Sequence, residues 1–166
     1  MADKLNNIAT QVPESETGMK LAGIQNQAIV QSLYRALAHG EMDSVSKLLA
    51  SDLEWWFHGP PKCQHMMKML TGEWSQATFR FDPRSIEMVG DSVIAEGWEG
   101  AKAYWVHVWT VKDGLITQFR EYFNTWLTVR DLRPPRWESR QVNHTLWQSH
   151  LRDLACRSLP GLLLAI

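Results

Sequence analysis

The chain has 166 residues, of which 45% are apolar and 21% charged, a composition that is typical of a single folded domain and excludes a wholly disordered chain. Seventeen Lys and Arg against eighteen Asp and Glu leave a formal net charge of −1, which gives no overall attraction to nucleic acid or to an anionic membrane. Two cysteines, Cys63 and Cys156, are too few for a disulfide scaffold or a four-cysteine zinc site.

The first half of the chain is predicted to contain a polar tail, three helices and one strand. Residues 1–24 are mostly polar, so we expect a flexible N-terminal tail. They hold no cationic region followed by an apolar run, which argues against a signal peptide and favours the cytoplasm, with the nucleus open as a second location. Apolar spacing predicts helices over 25–40, 42–50 and 63–70, and an aromatic run predicts a strand over 53–58.

The second half of the chain is predicted to be mostly β-strand. Strands are expected at 78–81, 84–89, 92–99, 103–111 and 114–129. Asp113-Gly114, between two apolar runs, is a strong hairpin signal. An Arg- and Pro-rich linker at 130–140 precedes a helix that contains Trp147 and Leu151. Helices separated from a run of strands indicate an α+β fold, with a cone-shaped, curved antiparallel sheet and helices packed on its concave face.

Several long motifs resemble the plant wound-induced and senescence-associated protein family. They are LEWWFHGPP at 53–61, VIAEGWEG at 93–100, YWVHVWTV at 104–111, TQFREYFNTW at 117–126, and the segments 145–149 and 157–161. The family looks like a branch of the nuclear transport factor 2-like superfamily, whose members include polyketide cyclases, ketosteroid isomerases, epoxide hydrolases, dehydratases and non-enzymatic binding proteins.

The resemblance covers about residues 25–166 and implies how the chain is organised. It implies a cone-shaped domain over 25–129, followed over 130–166 by the linker and a C-terminal helix that packs on the same domain. It also implies a pocket at the wide mouth of the cone and a homodimer that pairs through the outer face of the sheet.

The strand over 53–58 carries the first candidate site residues. Side chains alternate along a strand, so Trp56 and His58 share one face. The resemblance to epoxide-hydrolase-like relatives implies that both face into the cone, where Trp56 would contact a ligand. His58 would act there as a general base or a hydrogen-bond donor, because its pKa lies near neutrality. The alternative is that His58 is a buried residue that stabilises the following Pro-Pro turn.

The strand over 103–111 places three large side chains on one face. Trp105, His107 and Trp109 are predicted to line the pocket and to stack on a flat or hydrophobic ligand, with simple core packing as the alternative. The relatives imply a catalytic carboxylate near Glu99, which burial would adapt to proton transfer. The alternative for Glu99 is an exposed position at a strand end.

The last strand supplies two further candidates for ligand binding, Tyr122 and Asn124. Asn124 stands where the resemblance implies a catalytic Asp, and an amide can bind a carbonyl or hydroxyl group but cannot act as a general base. His58, Cys63 and His65 match no standard zinc spacing, so we expect no metal. Without a dinucleotide fingerprint or a phosphate-binding glycine loop, we also expect no cofactor.

Three functions remain open at this point. The first is a wound- or stress-induced intracellular protein that binds a small hydrophobic or aromatic metabolite in its cone. The second is a cofactor-independent isomerase, cyclase or dehydratase that uses His58 or Glu99 in acid/base catalysis. The third is a protein-interaction module whose cone is filled by its own tryptophans. No nucleic-acid or membrane partner is expected.

Overall fold

The described part of the chain contributes three helices to the helical layer. The computed structural model of the chain describes residues 14–73, 79–99, 103–123, 146–148 and 163–165. Its helices are α1 (Glu14–His39), α2 (Met42–Leu48) and α3 (His65–Leu70). α1 ends where Gly40 adopts a φ of 71°, a left-handed conformation that glycine accepts without strain.

α1 begins much earlier than the sequence predicts. Residues 14–24, expected in the flexible tail, belong to this helix, and residues 1–13 lie outside the described part of the chain. The segment is rich in Glu, Met, Lys, Leu and Ala, which favour helix intrinsically. Its apolar residues Met19, Leu21 and Ile24 are exposed, so it has no buried stripe that a hydrophobic pattern could reveal.

The main sheet is mixed rather than purely antiparallel. It contains β1 (Leu49–His58), β2 (Pro83–Val89), β3 (Ser92–Glu99), β4 (Ala103–Lys112) and β5 (Leu115–Phe123) in the order β1-β5-β4-β3-β2. β2 to β5 form the predicted antiparallel meander. β1 runs parallel to β5, because the chain crosses from β1 through α3 to the far edge of the sheet and winds back. The α+β class is confirmed, and the antiparallel description is wrong for β1.

The turn between β4 and β5 has the geometry that its sequence predicts. Asp113 and Gly114 have φ values of 51° and 80°, and two successive positive φ angles define the tight turn that matches strand twist. The strand predicted at 78–81 is absent from its described part, because Phe79–Phe81 lie outside the sheet and β2 starts at Pro83. Thr78 lies outside the described residues.

The C-terminal segment contains strand where a helix is predicted. β6 (Leu146–Gln148) pairs antiparallel with β7 (Leu163–Ala165), so Trp147 is in a strand. The apolar spacing of this segment predicts a helix, and its pairing with residues 163–165 has no local signal in the sequence. The linker at 130–140 and residues 149–162 lie outside the described part of the chain.

The main sheet is covered on both faces. α1 supplies Val30 and Leu33, and α3 supplies Met66, to a large core against one face, which we call the inner face. A smaller cluster covers the opposite, outer face. Its members are Ile94, Tyr104, Val106, Val108, Tyr122 and Trp147. β4 therefore contributes alternate side chains to both clusters, which explains why its sequence is apolar on both faces.

Candidate functional site

The inner face of β4 carries an aromatic cluster against the helices. Trp105, His107 and Trp109 are 0% exposed and lie on the side predicted from the sequence. Phe81 packs on both Trp105 and His107, with ring centroids 5.1 and 4.8 Å apart. Phe119 stacks on Trp109 at 4.1 Å. These rings fill the centre of the cone, so they form core there rather than an open pocket wall.

A row of polar groups runs through this aromatic cluster. The Tyr34 hydroxyl lies 2.6 Å from His107 Nδ1 and accepts a hydrogen bond of 3.1 Å from Trp109 Nε1. On the other side of the imidazole, His107 Nε2 lies 3.5 Å from Glu121 Oε1. We call Tyr34, His107 and Glu121 the buried polar row. α1, β4 and β5 each supply one member.

The hydrogen bonds indicate where the protons of this row reside. Because the Tyr34 oxygen already accepts from Trp109, its own proton is available for donation to His107 Nδ1. The imidazole proton then sits on Nε2, the nitrogen that faces Glu121. Among the described residues, His107 Nε2 and both Glu121 oxygens lack a partner with hydrogen-bond geometry. The approach between His107 and Glu121 is therefore close without being a formed hydrogen bond.

Burial keeps all three groups of the row uncharged at neutral pH. It raises the pKa of Glu121 to about 8, so this carboxyl holds a proton. It lowers the pKa of His107 well below the ordinary value, so the imidazole is neutral. Burial also raises the pKa of Tyr34 well above its usual value, although the Trp109 hydrogen bond acts in the opposite direction. Transfer of a proton between any two of these groups would place a pair of opposite charges in the core, which burial disfavours.

A cleft on the surface reaches one end of the row. It has a volume of about 390 Å³ and lies between α1 residues 31–38 and the segment 79–83, with Met69 and Ile86 completing its wall. Tyr34 lines this cleft, and its hydroxyl contacts His107. The cleft is large enough for a small organic ligand. Trp105, His107 and Trp109, predicted to line the pocket, lie behind its described walls in the core.

The predicted facing of Trp56, His58 and Tyr122 is wrong. Trp56 is 55% exposed, and His58 stacks on Tyr122 at 4.8 Å on the outer face of the sheet. The parallel register pairs His58 with Tyr122, so both project to the same side, whereas Trp55 and Phe57 pack towards the helices. These residues lie on the opposite side of the sheet from the cleft and the row.

The remaining two candidates stand apart from the row. Glu99 is half-buried at the end of β3. Burial lowers the pKa of the nearby His65, and the charge of Glu99 acts in the opposite direction by raising it. Asn124 lies outside the described residues.

Two members of the buried polar row, Tyr34 and Glu121, are not among the candidates predicted from the sequence. Glu121 alternates with Phe119 and Phe123 on one strand face, which is a signal for burial but does not identify its neighbours.

A second buried glutamate, Glu96, differs from Glu121 because each of its side-chain oxygens accepts a hydrogen bond. Tyr104 donates its hydroxyl proton to Glu96 Oε2, and Ser85 Oγ donates to Oε1 at 3.1 Å. Arg84 Nη2 lies 3.7 Å from the same oxygen. These donors compensate the burial of Glu96, whereas Glu121 has no comparable donors among the described residues. The hydrogen bonds and the ion pair of Glu96 therefore indicate a structural role on the outer face of the sheet.

Two features are absent from the described residues, a cluster of metal ligands and a membrane-spanning helix. No three His, Cys, Asp or Glu side chains in the described ranges converge as a possible metal site. No helix among them combines the length and apolarity needed to cross a membrane.

The fold is similar to that of solved proteins. Bal32a, from a soil-derived mobile gene cassette, matches with a TM-score of 0.51 and 19% identity, over 64% of this chain and 95% of that one. A nuclear transport factor 2-like protein of Burkholderia xenovorans matches with a TM-score of 0.46 and 22% identity, over 64% and 94% of the two chains. At these identities the Bal32a likeness concerns the fold alone.

The sequence is similar to two plant proteins along their whole length. Wound-induced protein 1 of Solanum tuberosum is 41% identical over 105 residues, which is 60% of this chain and 100% of that protein. Senescence associated gene 20 of Arabidopsis thaliana is 39% identical over 115 residues, again 60% of this chain and 100% of that protein. The family model described as "Wound-induced protein WI12" matches residues 67–166, which include four strands of the main sheet. The chain therefore belongs to the WI12 wound-induced protein family.

Proposed function

We propose that this protein is a wound- or stress-induced plant protein of the cytoplasm that binds a small hydrophobic or aromatic metabolite in the cleft between α1 and segment 79–83. The observation that carries the proposal is the cleft itself. It has the volume of a ligand site and apolar walls that include Phe79 and Phe81. Tyr34 also lines it, and the hydroxyl of this residue contacts His107 in the core. The names of the plant relatives support the setting in wounding and senescence.

Filling the cleft with a larger side chain should weaken ligand binding. N-phenyl-1-naphthylamine, a neutral aromatic probe, should bind the wild-type protein with a rise in fluorescence. Ala38 is exposed on α1 and lines the cleft, so Ala38→Trp should weaken binding by at least about tenfold through steric exclusion. Ala28 is exposed on the same helix outside the described cleft wall, so Ala28→Trp is the matched control. Equal affinities for the two variants, or no probe binding at all, would contradict the proposal.

A second candidate function is cofactor-independent acid/base catalysis, such as isomerisation, cyclisation or dehydration. The buried polar row favours it, because Tyr34 in the cleft wall connects through His107 to a protonated Glu121. In this function the Tyr34 hydroxyl would donate its proton to one atom of the bound molecule and recover a proton from another atom of the same molecule, and His107 Nδ1 would hold the hydroxyl in place.

Tyr34→Phe separates the two functions, because it keeps the ring and removes only the hydroxyl. Incubation of the wild-type protein with a plant extract, followed by mass spectrometry, should reveal a product if catalysis occurs. We expect Tyr34→Phe to lose that product while it binds N-phenyl-1-naphthylamine with nearly wild-type affinity. A product that persists in Tyr34→Phe would exclude the row from catalysis, and the absence of any product from the wild type would favour pure binding.

We also propose a homodimer that pairs through the outer face of the sheet. Trp147 covers part of this face within one chain, whereas Trp56 on the edge strand β1 is exposed. We expect a sedimenting mass of twice 19.1 kDa at micromolar concentration and a shift towards monomer in Trp56→Ser. Met19→Ser, which removes another exposed apolar residue, on α1, should leave the mass unchanged. A monomeric wild-type protein would show that this pairing is wrong.

A further inference from the structure

We propose that the ligand of the cleft is an aromatic anion whose carboxylate or sulfonate is bound by Arg35 and Arg80 at the rim. This inference rests on the proposed binding function and adds the chemical class of the ligand. It follows from three features of the cleft: the position of the two guanidinium groups, their lack of described partners, and the aromatic wall beside them.

The first feature is that both arginines reach the cleft from opposite sides. Arg35 follows Tyr34 on α1, and Arg80 lies between Phe79 and Phe81 on the segment that forms the other wall. Phe79 and Phe81 are buried while Arg80 is exposed, so the chain alternates rings into the core with a cation at the rim. A ligand in the cleft would therefore have cationic side chains on both sides of its solvent-facing end.

The second feature is that these cations are available. Within residues 17–73, 79–99 and 103–123, no carboxylate forms an ion pair with either guanidinium group. Arg84, only four residues beyond Arg80, shows the contrast, because it lies 3.7 Å from Glu96 on the outer face. Two cationic side chains and one acidic side chain, Asp82, line the cleft, so an anion would improve its charge balance.

The third feature is the chemistry of the wall next to these cations. Tyr34, Phe79 and Phe81 line the cleft, and Leu37, Met69 and Ile86 add aliphatic surface. An apolar or aromatic body would pack against this wall, and its charged group would remain at the rim with Arg35 and Arg80. A ligand that is anionic throughout would lose the apolar contacts, and a neutral ligand would leave both cations unpaired. The geometry therefore points to a molecule with one apolar end and one anionic end.

Two dyes with the same aromatic skeleton test the charge alone. 8-Anilinonaphthalene-1-sulfonate carries a sulfonate that N-phenyl-1-naphthylamine lacks. In fluorescence titrations of the full chain, we expect the anionic dye to bind about tenfold more tightly than the neutral dye, as a charge-assisted contact predicts. Arg35→Gln and Arg80→Gln should each weaken the anionic dye by about fivefold or more and change the neutral dye by less than about twofold. Lys112→Gln, an exposed cation outside the described cleft wall, is the charge-matched control.

The outcomes distinguish this inference from the function on which it rests. If both dyes bind equally, or if the Arg variants weaken both dyes alike, the anionic class is overturned and the cleft remains a neutral hydrophobic site. If neither dye binds, or if Ala38→Trp has no effect on either, the binding function itself fails. If Lys112→Gln weakens the anionic dye as much as the two Arg variants do, the overall charge of the protein accounts for the effect. That outcome also overturns the inference.

Discussion

The free energy of unfolding of the wild-type protein should fall by roughly 3 kcal/mol relative to that of Glu121→Gln between about pH 5 and about pH 7.5. Burial raises the pKa of Glu121 to about 8 in the folded state, while an unfolded glutamate titrates near about 4.3. Over the interval between these values the folded protein holds a proton that the unfolded chain releases. The stability that protonated Glu121 contributes is therefore fully present below the lower pKa. It is lost as the pH rises through the upper pKa, by up to about 1.4 kcal/mol per pH unit.

Other titratable groups near Glu121 act differently, which makes the experiment specific. Burial lowers the pKa of His107, so this residue costs stability as the pH falls below about 6.5, opposite in sign to Glu121 and in both proteins. The difference in unfolding free energy between the two proteins therefore isolates the contribution of Glu121. The pKa values of Tyr34 and Cys63 are raised, and the Glu121 charge contributes to both shifts, but both groups ordinarily titrate above the tested range.

Urea unfolding at the two pH values measures the difference. We expect the wild type to lose stability relative to Glu121→Gln as the pH rises, and Glu121→Gln to be the more stable of the two at the higher pH. Glu73→Gln, which alters an exposed glutamate, should keep the wild-type pH profile. Equal slopes for wild type and Glu121→Gln would show that this carboxyl is ionised in the folded protein.

The sequence is a good guide to the elements of this fold because their signals are local. The Asp113-Gly114 turn needs only two residues with positive φ, and the meander follows from alternating apolar runs of suitable length. The parallel pairing of β1 with β5 has no such local signal. That pairing sets which side of β1 faces the helices, and the facing of Trp56 and His58 could not be predicted without it.

The buried polar row illustrates the same limit at the candidate site. Tyr34 and His107 are 73 residues apart, and their hydrogen bond depends on how α1 lies across β4. His107 was predictable as an inner-face residue because it alternates with two tryptophans. Its partners were not, because a tyrosine on a helix and a glutamate on a strand are common outside polar networks as well. The feature that sets Glu121 apart is that its buried oxygens lack described hydrogen-bond partners, and this depends on the folded structure.

Gly97→Ala should destabilise the protein by about 3 kcal/mol and distort the cleft, because the position has no room for a methyl group. A Cβ at Gly97 would collide with the Trp105 ring and lie 2.6 Å from the Asp82 carbonyl oxygen. Trp105 is fully buried in the core, and Asp82 belongs to the segment that forms one wall of the cleft. The absence of a side chain at Gly97 thus allows the cleft wall to lie directly on the sheet.

Gly18→Ala is the matched control for this prediction. A Cβ at Gly18 has no neighbour within 4 Å, and alanine favours helix, so this variant should be up to about 1 kcal/mol more stable than the wild type. Urea unfolding gives the stability of both variants, and N-phenyl-1-naphthylamine titration reports the cleft. A Gly97→Ala protein with wild-type stability and wild-type probe affinity would mean that segment 79–83 can move away from the sheet at no cost. We expect instead that both quantities fall together, because the same contact supports the core and positions the cleft wall.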